Sequence, residues 1–235
     1  MPIRTRYTRG NLVMLDGQSW FDAFGPNVVK FLDEFVNTPF DGADAPAAYT
    51  VTLVEGGAGE TTVALKAGGD GGILLITADA ADNDGANIQA KGEAFKPLTY
   101  PIYFGAKVKI SEATQSDFLV GLCITDTDLL GGMTDGIYFR KVDASTTMAF
   151  VLEKDSTETS TNYGTAIAAD TWYTLEFFFD GTNVDWYVDG VLQTRPAVTN
   201  LPNDEWLTPS IHFLAGTTGG MNMEVDWVRV IQILA

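Results

Sequence analysis

Apolar and polar residues alternate with a period of two along most of the chain, and the pattern is clearest between residues 171 and 190. There Tyr173, Leu175, Phe177 and Phe179 fall on one face of an extended segment, and Trp172, Thr174, Glu176 and Phe178 fall on the other. Both faces carry large rings. Val184, Trp186 and Val188 then alternate with Asp185, Tyr187 and Asp189, the signature of a strand with one face in a core and one wetter. The join, Asp180-Gly181-Thr182-Asn183, is made of residues that tolerate positive φ, which predicts a short hairpin.

From FLDEFVNTPFDG onward, similar runs follow one another, separated by turn clusters: YTVTLVE, TTVALKA, GGILLITAD, NIQAKGEAF, YPIYFGAKVKIS, DFLVGLCIT, GIYFRKVD, TMAFVLEK, the pair above, SIHFLAG and MNMEVDWVRVIQ. About a dozen strands suffice for two large packed sheets. No run of helical spacing, fixed-period repeat or low-complexity linker breaks the series. With 46% apolar residues and 24 glycines in 235, the chain reads as an all-β domain over residues 31–235. Residues 1–30 read as an N-terminal arm, because Arg4, Arg6 and Arg9 are three of only 14 basic residues and Trp20, Phe21 and Phe24 precede a Gly-Pro break.

The formal charge of −17 excludes the Lys and Arg contacts on which phosphate-backbone binding depends, so nucleic acid is not an expected partner. No segment has the length and apolarity of a membrane-spanning helix, and the apolar run Leu12 to Leu15 is too short for a signal peptide. The single cysteine, Cys123, has apolar neighbours and reads as a small buried hydrophobe. His212, the only histidine, lies in SIHFLAG and reads as a satisfied strand residue, which rules out a His-based triad or a multi-histidine zinc site.

WYTLEFFFDGTNVDWYVDGVLQT, the following NLP and the closing MEVDWVRVIQ resemble the concanavalin A-like lectin/glucanase superfamily, through both laminin G-like modules and family 16 glycoside hydrolases. The resemblance implies a two-sheet antiparallel jelly-roll sandwich. In the hydrolases it also implies two glutamates and an aspartate projecting from one strand. Glu153, Asp155 and Glu158 fit that E-x-D-x-x-E spacing, but Lys154, Ser156 and Thr157 are polar where a cleft strand would be apolar, so the stretch predicts a hairpin loop and not a catalytic strand.

Two other chemistries have candidates. Asp79, Asp82 and Asp84, with Asn83 before Gly85, are oxygen donors of the kind calcium takes; Asp126 and Asp128 form a weaker pair. Trp206 in NLPNDEWLTP is flanked by loop-type polar residues and is the candidate aromatic platform for a glycan, whereas Trp172, Trp186 and Trp227 lie in strands and read as packing residues. An acidic, leaderless sandwich of this size resembles tailed-bacteriophage virion proteins. The resulting expectation is a non-enzymatic, homo-oligomeric capsid decoration protein on the virion surface. Arg4, Arg6, Tyr7, Arg9 and Trp20 would attach it to the major capsid protein or another virion protein. The alternatives are a glycan-binding lectin-like module and a family-16-like glucanase.

Overall fold

The computed structural model describes residues 4–8, 11–15, 22–24, 26–36, 48–55, 60–68, 71–217 and 220–234. These contain strands and no helix. β1 (Arg4–Thr8), β2 (Asn11–Leu15) and β3 (Asp22–Phe24) form a small antiparallel sheet of their own. The rest is a two-sheet sandwich. One sheet runs β13 (Thr157–Asn162), β12 (Met148–Lys154), β11 (Gly136–Lys141), β10 (Ser116–Cys123), β17 (Thr208–Ala215), β8 (Gly85–Ala90), β5 (Tyr49–Val54). The other runs β16 (Val191–Leu192), β15 (Val184–Val188), β14 (Tyr173–Phe179), β9 (Ile102–Ile110), β18 (Asn222–Ile233), β7 (Leu74–Thr77), β6 (Thr62–Leu65), and β4 (Val28–Asp33) also pairs with β18.

The period-two faces become the core. Leu175, Phe177 and Phe179 of β14 and Val184, Trp186 and Val188 of β15 all point between the sheets and are buried. The Phe104 and Phe177 rings stack at 5.1 Å within one sheet, and Trp186 stacks on Phe150 of the other at 5.4 Å and 12°. Such ring pairs add about 0.5–1.5 kcal/mol each beyond the area they bury. Among the described tryptophans, Trp186 alone packs inside. Trp172 and Trp227 are half-buried on the outer face, where Lys107 and Lys109 lie 5.1 and 5.0 Å from the first ring and Arg229 lies 4.8 Å from the second. Large rings on both faces of β14 and its neighbours therefore serve two environments: a dry core and a cation-covered surface.

The turns follow their residues. Asp189 and Gly190 both have positive φ and join β15 to β16, as a two-residue hairpin with right-handed twist requires. At the earlier turn Gly181 takes φ 101, and the Asp180 carboxylate accepts from the amides of Thr182 and Asn183 at 2.8 and 2.7 Å.

The seven-stranded sheet has a second buried face. Leu119, Cys123, Tyr138 and Val151, all turned away from the main core, are covered by Leu129 and Met133 of the 124–135 loop. The loop is held down by polar side chains of β8: Asn87 donates to the Thr127 carbonyl at 2.6 Å, and Gln89 donates to the Ile124 carbonyl at 2.9 Å while accepting from the Asp126 amide at 3.0 Å. Cys123 is wholly buried here, and its thiol is pushed up by that burial, as its apolar neighbours predict. His212 is satisfied on one side only. Its Nδ1 meets Asn87 Oδ1, but its buried Nε2 has no hydrogen-bond partner among the described residues.

Candidate functional site

The E-x-D-x-x-E stretch folds as a tight hairpin, as its polar interior predicts. Lys154 pairs with Thr157, and Asp155 and Ser156 between them take φ of 50° and 60°. The two glutamates therefore stand on different strands. Glu153 of β12 and Glu158 of β13 are direct cross-strand partners, so both side chains leave the same face of the sheet, with Cβ atoms about 5 Å apart. Asp155 sits in the turn, where its amide donates to Asp135 at 3.2 Å; it does not join the pair.

Two residues of β11 organise the carboxylates. The Tyr138 hydroxyl donates to Glu153 Oε2 at 2.7 Å and lies 3.4 Å from Glu158 Oε1. Arg140, on the same face two residues on, grips Glu158 in a fork, Nη1 to Oε1 at 2.6 Å and Nη2 to Oε2 at 2.7 Å. Neither residue is conspicuous in the sequence. The available signal was the pairing of GIYFRKVD with TMAFVLEK, since period-two alternation puts Tyr138 and Arg140 on the face that also bears Glu153.

The pair is electrostatically unequal. Glu153 is 7% exposed, and its burial pushes the carboxyl above the usual carboxylate range; the Tyr138 bond opposes that shift, and negative Glu158 reinforces it. Tyr138 is itself pushed up, first by burial and then by its bond to Glu153, so it remains a donor. Burial alone would lower Arg140, but its bonds to Glu158 hold it above its ordinary value and permanently charged. The arrangement thus sets one carboxyl biased towards its acid form beside one gripped in a fork by a guanidinium.

The remaining candidates are dispersed. Trp206 is half exposed, with the Lys96 ammonium 5.8 Å from its ring. Asp84 is fully buried at the start of β8 while Asp82 is exposed, and among the described residues no three His, Cys, Asp or Glu side chains converge on a metal-sized point. Arg4, Arg6 and Tyr7 lie on β1; Arg9 and Trp20 fall outside the described residues. Among the described residues no helix is long and apolar enough to cross a membrane.

A family model described as the concanavalin A-like lectin/glucanases superfamily matches residues 82–230, more than half of the chain. The chain belongs to that superfamily. Its jelly roll superposes on solved structures over nearly their whole length. An endo-1,3-beta-glucanase from Streptomyces sioyaensis aligns with a TM-score of 0.63 at 15% identity, covering 91% of this chain and 99% of the other. A family 16 endo-glucanase from Bacteroides ovatus aligns with a TM-score of 0.60 at 18% identity, covering 85% and 99%. A protein of unknown function from Shewanella oneidensis aligns with a TM-score of 0.61 at 12% identity, covering 88% and 87%. No curated protein matches the chain.

These comparisons overturn the expectation of a non-enzymatic capsid decoration protein. This superfamily member aligns with glucanases over nearly their whole length. The hairpin expected from the polar residues between Glu153 and Glu158 does form, but it does not separate the two carboxylates. A two-residue turn brings the same two side chains together from opposite strands.

Proposed function

We propose that this chain is a β-glucan-directed glycoside hydrolase whose carboxylate pair is Glu153 and Glu158. The observation that carries the reading is the single Tyr138 hydroxyl within hydrogen-bonding reach of both carboxylates, one nearly buried and one anchored by Arg140. Carboxyls that share a donor stand closer than the roughly 6.5–9.5 Å an inverting pair needs to admit a water, so the geometry is of the retaining type. Glu153, biased towards its protonated form, is suited to protonate the glycosidic oxygen as the bond breaks. Glu158, positioned by Arg140, is suited to attack the anomeric carbon, with Arg140 yielding one arm of its fork as the glycosyl bond forms. Water, giving its proton to Glu153, then attacks the anomeric carbon, the ester bond to Glu158 breaks to free its carboxylate, and Glu153 is left protonated for the next cycle. The likeness to beta-glucanases supports the choice of a glucan as substrate.

The test is release of reducing ends from laminarin, lichenan and barley β-glucan by the purified chain and by its Glu153→Gln and Glu158→Gln variants. Either substitution is expected to lower the rate by about 10²–10⁴-fold. A folded wild-type protein that cleaves none of the three, or a variant as active as the wild type, would overturn the reading.

A further inference from the structure

Loops from both sheets meet at the end of the sandwich where β12 turns into β13, and they form an open cavity of about 320 Å³. Leu98, Phe179 and Leu201 give it apolar walls, and Thr182, Thr199 and Asn203 add two hydroxyls and an amide. Its volume is at the lower end of the range for small-molecule sites, and hydroxyl and amide groups set among apolar walls are the usual composition of such sites. Lys154 also lines it, on the strand face opposite Glu153, so the cavity and the carboxylate pair lie on opposite sides of β12.

The cavity has an aromatic neighbour. The Lys154 ammonium bonds Asn203 Oδ1 at 2.8 Å and Asp204 Oδ1 at 2.9 Å. Lys96 in turn donates to the Asp204 carbonyl and lies over the Trp206 ring. Asp204 is thus the link between the cavity wall and the tryptophan. Around it, Leu98 and Val198, which line the cavity, are 52% and 37% exposed, and Trp206 is 50% exposed. Large apolar groups left open beside a cavity with hydroxyl and amide groups form a ligand-sized surface, not scattered exposure.

Charge narrows the ligand. Lys154 and Asp204 hold each other ionised and cancel, so the charged pair at the cavity wall carries no net charge. The chain's formal charge of −17 repels polyanions at longer range, so nucleic acids and sulfated or uronic glycans do not fit. A neutral saccharide does. Its hydroxyls match Asn203, Thr182 and Thr199, and the C–H face of a pyranose matches an exposed indole.

We infer that this end of the sandwich is a second saccharide-binding site, separate from the carboxylate pair, which takes the end of a neutral glycan into the cavity and stacks a neighbouring sugar on Trp206. It rests on the proposed function only in the choice of glucans as first probes. Affinity would be measured by isothermal titration with neutral hexasaccharides: β-1,3-, β-1,4- and mixed-linkage glucan, chitohexaose and an α-1,4-glucan. The proteins would be the Glu153→Gln/Glu158→Gln double variant, that variant carrying Trp206→Ala or Asn203→Ala, and, as a control, that variant carrying Leu192→Ser. Thermal melts would confirm that each is folded.

At least one hexasaccharide is expected to bind, with Trp206→Ala and Asn203→Ala each weakening it about tenfold or more and Leu192→Ser leaving it within twofold. Absence of binding to the whole panel, or binding that survives both cavity substitutions, would overturn the inference. The two readings fail separately: a chain that cleaves no glucan but loses affinity on Trp206→Ala retains this site and loses the hydrolase assignment. Cleavage without Trp206-dependent binding gives the reverse.

Discussion

Tyr138 donates its hydroxyl to Glu153 at 2.7 Å, and it is the one described side chain that hydrogen-bonds that carboxylate. Changing Tyr138 to Phe therefore leaves a buried carboxylate without its donor, at a cost of about 1–3 kcal/mol at neutral pH. Glu153 already ionises above its ordinary range through burial, and loss of the opposing bond raises it further. A raised acid is most stabilising when protonated, below its unfolded value, and the stability is lost as pH rises through the folded value. The Tyr138→Phe penalty is thus expected to be small at pH 4 and full at pH 8 in urea melts. In glucan hydrolysis the alkaline limb of the pH profile should move upward.

His212 gives the opposite slope. Burial pushes it down to about 4, partly opposed by negative Asp128, so the folded protein holds it neutral while the unfolded chain takes up a proton near pH 6.5. Stability is then complete above the unfolded value and is lost as pH falls from about 6.5 to about 4. This one group contributes about 2–3 kcal/mol of acid sensitivity. In His212→Gln the loss of stability between pH 7 and pH 4.5 is expected to shrink by about that amount; an unchanged difference would show that the ring is not the source.

Gly121 is a matter of space. A Cβ at this position in β10 would lie 2.3 Å from the Ile137 carbonyl oxygen and 2.5 Å from Tyr138 Cα, both backbone atoms of β11. Gly121→Ala must push the two central strands apart. Destabilisation of about 1–3 kcal/mol is expected, together with partial loss of activity, because the strand displaced bears Tyr138 and Arg140.

Trp186 joins the sheets. It stacks on Phe150, packs on Phe139 at 6.1 Å and donates its indole N–H to the Thr194 carbonyl at 2.8 Å. Trp186→Ala is expected to cost about 3–5 kcal/mol, a large share of what a single domain has. Trp186→Phe, which keeps a ring and loses the bond, should cost clearly less in the same thermal melts.

The fold was legible because its signals are local. Alternation placed Leu175, Phe177, Val184, Trp186 and Val188 in the core, and Asp-Gly placed the turns. The site was harder to read because it is made by pairing. Glu153 and Glu158 become neighbours through strand register, and Tyr138 and Arg140 reach them from a third strand whose partner no local pattern specifies. Periodicity also cannot tell which ring-bearing face is dry. It assigned Trp172 and Trp227 to packing without showing that both lie under lysine and arginine on the outer surface.

β18 has a consequence for assembly on the ribosome. It runs between β9 on one side and β4 and β7 on the other, through Val228–Ile233 and Asn222–Val225 respectively. β4, β7 and β9 all emerge from the exit tunnel long before β18, and until it arrives each has a bare row of backbone donors and acceptors. The nascent chain must therefore keep these edges apart or shielded during translation, since unpaired strand edges are where partly made β-proteins stick to one another. Pairing of β18 into the gap is the step at which this jelly roll escapes that hazard, and truncation ahead of Asn222 would leave all three edges bare.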